Sequence, residues 1–122
     1  MKAILFDNYG DSSVMYSGEI EQPEINEDEV LIKVAAAGIN RPDILQRQGS
    51  YPPPAGASKI LGLEVSGKII KIGKNISLDF LNKDVCALVT GGGYAEYVKT
   101  TVSTVLPLPK GVNIIEAAAI PE

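Results

Sequence analysis

Only a few side chains in this 122-residue sequence could do chemistry, and what they lack is as informative as what they offer. There is no histidine and a single cysteine, Cys86. A catalytic zinc needs three protein ligands from His, Cys, Asp or Glu, and a structural zinc needs four, mostly Cys. The composition therefore speaks against either site. Carboxylates alone could hold Mg²⁺ or Ca²⁺, but the densest acidic run, Glu27-Asp28-Glu29, lacks the Asp-x-Asp-x-Asp-Gly spacing and precedes an apolar strand, so it reads as a solvated turn. Gly91-Gly92-Gly93 offers backbone amides that could approach an anion, but no helix and no Gly-Lys-Ser/Thr follows. The sequence continues as Tyr94-Ala95-Glu96-Tyr97-Val98, and a hairpin turn is the expectation. Cys86 stands among apolar neighbours and reads as a small core residue.

The elements that must position these groups are mostly strands. Lys2 to Phe6 and Val14 to Glu21 flank the turn-rich Asn8-Tyr9-Gly10-Asp11-Ser12 and suggest an opening hairpin. Val30 to Ala37 and Val65 to Ile72 are nearly continuous apolar runs, the mark of strands covered on both faces. Asp84 to Val89 and Tyr94 to Thr100 flank the triple glycine as a further hairpin, and Val102 to Leu106 is a last short strand. Short strands at near-regular spacing predict a mainly β barrel or sandwich.

Two segments break that rhythm. Asn40 can cap a helix over Pro42 to Gln48: Asp43 stands three residues on, proline suits the first turn, and Gly49 can end it. Asn113 to Ala119 repeats the pattern with Glu116. Tyr51-Pro52-Pro53-Pro54-Ala55-Gly56 must be an extended, irregular loop.

Composition sets the outer bounds. A chain of this length with 45% hydrophobic residues supports one domain, 1–122, with a real core. The net charge of −4 and the scattered lysines Lys59, Lys68, Lys71 and Lys74 argue against a nucleic-acid partner. No window approaches the roughly 18 apolar residues of a membrane span, and the N-terminus does not resemble a signal peptide. One cysteine makes no internal disulfide, so a reducing, cytoplasmic setting is expected.

The segment Ala36-Ala37-Gly38-Ile39-Asn40-Arg41-Pro42-Asp43-Ile44-Leu45-Gln46-Arg47-Gln48-Gly49, with Tyr51 and Leu61-Gly62-Leu63-Glu64-Val65-Ser66-Gly67, resembles the GroES-like catalytic domain of the medium-chain dehydrogenase/reductase superfamily. Glu29 to Val34, Lys83-Asp84-Val85 and Gly92 to Val98 extend the resemblance over essentially the whole chain. Within the superfamily it is most similar to the quinone-oxidoreductase branch, and there to the p53-inducible quinone oxidoreductase group. The zinc-dependent members carry Cys where Asn40 stands and Gly-His-Glu where Gly62-Leu63-Glu64 stands, so this chain keeps the frame without the ligands. Pro42 likewise replaces the Ser or Thr of their proton relay, which argues against alcohol oxidation.

The resemblance implies a partly open GroES-like barrel with one or two short helices, and a dinucleotide-binding domain beyond Glu116-Ala117-Ala118-Ala119-Ile120-Pro121. Its Gly-rich turn and ribose selector are absent from these residues. It implies NADPH, or NADH, held mostly by that second domain, no metal, a small quinone or enone as acceptor, and a homodimer for the full-length enzyme. By itself the domain would not turn over, and Ile114, Ile115, Ala118 and Ile120 should leave an apolar strip.

The resemblance also places Tyr51 and Asn40 at the substrate and nicotinamide cleft, with Asp43 and Glu64 nearby. Hydride arrival leaves negative charge on the acceptor oxygen, and the Tyr51 hydroxyl and Asn40 amide are donors that could meet it. Asn40 could equally be a helix cap, Tyr51 a loop aromatic packed on the prolines, and Asp43 a helix-start acid favoured by the dipole. Glu64 opens a buried strand and needs a partner, either a basic group of the second domain or Arg41 or Arg47. A second reading is a free-standing GroES-like module used in binding or assembly without catalysis.

Overall fold

A computed structural model describes residues 1–122, and the architecture is mainly β with one α-helix. A ribbon pairs β1 (Lys2–Phe6) with β2 (Met15–Glu19), antiparallel. A five-stranded antiparallel sheet follows in the order β6-β3-β4-β5-β7, formed by β3 (Glu29–Ala37), β4 (Glu64–Ile72), β5 (Asp84–Leu88), β6 (Tyr97–Thr101) and β7 (Val105–Pro107). The helix α1 (Arg41–Gln48) and the proline loop lie in the long connection from β3 to β4. The sheet does not close, because β6 and β7 are its two edges.

The two apolar runs became the two central strands. Side chains on both sides of β3 and β4 are buried, and Val30, Ile32, Val65, Ile69, Val85, Ala87, Val89 and Val98 form one core cluster. The β3–β4 register slips between Leu31 and Ile32 and again between Val34 and Ala36. Bulges of this kind bend a strand and increase its local twist. Gly67 lies on the same seam, where a Cβ would run into the Lys33 carbonyl and the Ile32 side chain. Ala117 and Ala118, fully or almost fully buried, sit in a short 3₁₀ turn, Glu116–Ala119, packed against β3, β4 and β5. The Asn113 side chain accepts from the Glu116 N–H at 2.8 Å, so the expected cap is present although only a turn follows it. Ala118 is buried rather than part of an apolar strip, whereas Ile115 and Ile120 are exposed.

The second hairpin expected from sequence does not form. β5 pairs with β4 and β7, while β6 crosses to the far edge and pairs with β3. Gly91-Gly92-Gly93 is accordingly not a hairpin turn. Its backbone runs beside residues 60–62: Gly92 N–H donates to the Ile60 carbonyl at 2.8 Å, Gly93 to Gly62 at 3.1 Å and Tyr94 to Leu61 at 2.9 Å. The φ of Gly92 is 94°, and a Cβ on Gly93 would press on the Gly62 backbone, so the glycines serve a close approach of two loops. Tyr94 to Glu96 then joins the ribbon to the sheet. Ile4 N–H donates to the Tyr94 carbonyl at 2.9 Å, and Val34 N–H donates to the Glu96 carbonyl at 2.8 Å. Val102 to Thr104 forms a 3₁₀ turn before β7 rather than strand. No helix is long and apolar enough to cross a membrane.

Candidate functional site

Asn40 stands at the N-cap of α1 in extended backbone, with φ −127° and ψ 158°. Its N–H donates to Asp43 Oδ2 at 3.0 Å, one arm of a capping box, and Gly49 closes the helix in the left-handed region at φ 89°. The Asn40 carboxamide turns toward β4, and Nδ2 donates to Glu64 Oε1 at 2.9 Å. The residue thus caps the helix while its carboxamide nitrogen is committed elsewhere.

Glu64 is 3% exposed, yet neither Arg41 nor Arg47 reaches it: Arg41 is exposed, and Arg47 Nε donates to the Gly10 carbonyl at 3.1 Å. Its second oxygen, Oε2, accepts the Glu122 N–H at 2.8 Å. Neutral donors therefore satisfy this buried carboxylate, which answers the desolvation cost without an ion pair. Gly38 makes the room, since a Cβ there would overlap the Glu64 carboxylate.

Asp43 is 2% exposed and is more than a helix-start acid. Besides the Asn40 N–H, its Oδ2 accepts the Tyr94 hydroxyl at 2.6 Å, while Oδ1 is buried without a partner. Burial first, and the bond to Asp43 second, push the Tyr94 hydroxyl well above the ordinary tyrosine range, so it stays protonated and donates. Tyr94 was not singled out by sequence. Its partner lies 51 residues away and no local pattern announces the pairing.

The structure thus brings Asn40, Asp43 and Glu64 together and adds Tyr94. Tyr51 lies apart from that cluster, in a groove of about 480 Å³ shared with Tyr9, Gln46, Pro52, Pro53 and Lys59. It is 43% exposed, and its hydroxyl makes no hydrogen bond within the protein. Gln46 connects the two places, since it lines this groove from the helix that Asn40 caps. Cys86 is buried on β5, and burial raises its thiol above the usual range, which suits an inert core residue. No group of three or more His, Cys, Asp or Glu side chains converges to hold a metal ion.

Comparison with known proteins places the fold in a family. The model of the alcohol dehydrogenase GroES-like domain matches residues 26–110. The quinone oxidoreductase of Lama guanicoe is 34% identical over 122 residues, which cover 98% of this chain and 37% of that protein. The chloroplastic NADPH-dependent alkenal/one oxidoreductase of Arabidopsis thaliana is 31% identical over 132 residues, covering 99% of this chain and 34% of the relative. Among solved structures, Escherichia coli quinone oxidoreductase complexed with NADPH superposes with a TM-score of 0.87 at 26% identity, covering 98% of this chain and 37% of that one. The chain thus spans only part of the length of the relatives it matches. It belongs to the alcohol dehydrogenase GroES-like domain family, with homologues among the quinone oxidoreductases and enoyl reductases of the medium-chain dehydrogenase/reductase superfamily.

Proposed function

We propose that these residues form the substrate-side domain of a metal-independent, NADPH- or NADH-dependent reductase of small quinones or enones. The observation that carries the reading is the contact between Asn40 and Glu64. Asn40 stands where zinc-dependent relatives carry a Cys and Leu63 where they carry a His, and the Asn40 amide is instead engaged by the neighbouring Glu64 carboxylate, 2.9 Å away. These residues do not fit a catalytic zinc. They do fit hydrogen-bond catalysis. The nicotinamide would supply hydride, and the excess charge would fall on the acceptor oxygen, where a preorganised donor lowers the barrier.

Asn40 has a second Nδ2 hydrogen left after the bond to Glu64 and is the donor we assign to that oxygen; the Tyr51 hydroxyl, which has no protein partner, is a second candidate that would have to reach it from the neighbouring groove. Asp43 holds the start of α1 through Asn40 N–H and Tyr94 and so fixes where the amide sits. The names of the llama and Arabidopsis relatives support quinone and enone acceptors. The complete protein would add a dinucleotide-binding domain, pair as a homodimer and act in the cytoplasm.

The test is turnover by a protein carrying this domain with its dinucleotide-binding half. Nicotinamide oxidation should depend on added quinone or enone and persist after exhaustive chelation, and Asn40→Ala should lower kcat/KM by roughly tenfold or more. Activity lost on chelation and restored by zinc would refute the metal-independent mechanism. A protein that binds no nicotinamide cofactor would favour the non-catalytic binding module.

A further inference from the structure

The environment of Glu64 assigns it work beyond filling the first position of a strand. A carboxylate offers only acceptors, so it determines which end of the Asn40 carboxamide faces it. Nδ2 must point to Glu64, Oδ1 faces the first turn of α1, and the second N–H is left for the cleft. The same carboxylate takes the Glu122 N–H on its other oxygen. That backbone group belongs to the segment following the buried turn Glu116–Ala119, and β4 anchors the same stretch again where Ser66 Oγ donates to the Ile114 carbonyl. Gly38 lies against the carboxylate with no room for a Cβ, and its N–H donates to the Glu64 carbonyl at 3.2 Å, so the side chain is confined on a third side. Two donors from segments far apart in the sequence therefore converge on one buried, immobilised group.

We propose that Glu64 is a positioning residue that couples the orientation of the Asn40 amide to the seating of the Ile120–Glu122 segment, so that displacing the segment releases the amide. Glu64 itself touches no reacting atom. The proposal rests on the reading of Asn40 as the cleft donor only for its catalytic consequence; the coupling is a property of this domain and is measurable on the 122-residue chain.

Two substitutions probe it from opposite ends. Glu64→Gln keeps the shape but replaces two acceptor oxygens by one acceptor and one donor, so it must lose one of the two bonds. Glu122→Pro leaves Glu64 and Asn40 in place and deletes the donor N–H, with Glu122→Ala as the control that removes the side chain but keeps the N–H. Side-chain amide NMR of the isolated chain should show one Asn40 Nδ2 proton shifted downfield and slow to exchange. Both substitutions should move that signal and speed its exchange, and Glu122→Pro should do so with the melting temperature little changed. An Asn40 signal unaffected by Glu122→Pro would overturn the coupling, even if Glu64→Gln does not fold.

Turnover of the two-domain protein separates this from the functional reading. If the coupling matters to catalysis, Glu122→Pro lowers kcat with KM nearly constant, and Glu64→Asp, one methylene shorter, rescues only in part. Coupling seen by NMR with kcat unchanged would sink the role of Asn40 as donor and leave the positioning itself intact.

Discussion

Asp43 and Tyr94 show how much a single pair of side chains decides. Both donors on Asp43 reach the same oxygen, Oδ2, while Oδ1 has no partner. Asp43→Asn can therefore keep one oxygen on both donors and should cost little stability, with turnover nearly intact. Asp43→Ala strands a buried N–H and a hydroxyl and should cost about 2 kcal/mol or more in denaturant unfolding. For Tyr94, the proton leaves the unfolded chain near the ordinary value of 10.0 but is held to higher pH in the fold. The stability this contributes is present below that value and is lost as pH rises above it. Urea midpoints measured from pH about 9 upward should fall for the wild type and fall less steeply for Tyr94→Phe. At Tyr51, loss of the hydroxyl in Tyr51→Phe should lower kcat and kcat/KM together by roughly tenfold, with folding unaffected, in the protein that carries both domains. Full activity in Tyr51→Phe would leave the residue as a wall of its groove.

At the scale of elements, the seam between β3 and β4 and the two ends of α1 are the sensitive places. A methyl group at Gly67 would collide with the Lys33 carbonyl across the seam, where nothing can yield without separating the central strands. Gly67→Ala should destabilise by about 3 kcal/mol, at the upper end of overpacking penalties, and should shift backbone amide resonances along both strands. Gly49→Ala faces a milder obstacle: a left-handed φ of 89° and the ring of Tyr9, which can swing away from an exposed position. About 1 kcal/mol is expected there.

For the molecule as a whole, the open sheet leaves two edges and a scatter of apolar side chains. Ile115 and Ile120, 60% and 44% exposed, flank the buried turn that ends the fold. The isolated chain should associate at high concentration or bind a hydrophobic dye, and Ile115→Ser with Ile120→Ser should reduce both. Light scattering that shows a strict monomer with no dye binding would mean that these side chains pack back on the domain in solution.

The sequence by itself determined the central strands, the helix α1 and the scarcity of metal-ligating side chains. Continuous apolar runs marked β3 and β4 as central strands because strands covered on both faces need apolar residues at every position, and Asn40, Pro42 and Gly49 bounded α1 by backbone preference alone. The shortage of nitrogen and sulfur ligands was equally legible, as it follows from composition. Strand partners were not legible. Tyr97–Thr101 and Asp84–Leu88 carry the same local signal as a hairpin, and only the folded sheet shows β6 beside β3 at the far edge. Three consecutive glycines look alike whether they turn a chain or let two loops touch; the presence of Gly62 on the other side decided it. The same holds for the site. Nothing near Asp43 in sequence points to Tyr94, and nothing near Glu64 points to Asn40 or to Glu122, because each bond joins segments that only the folded sheet brings within reach.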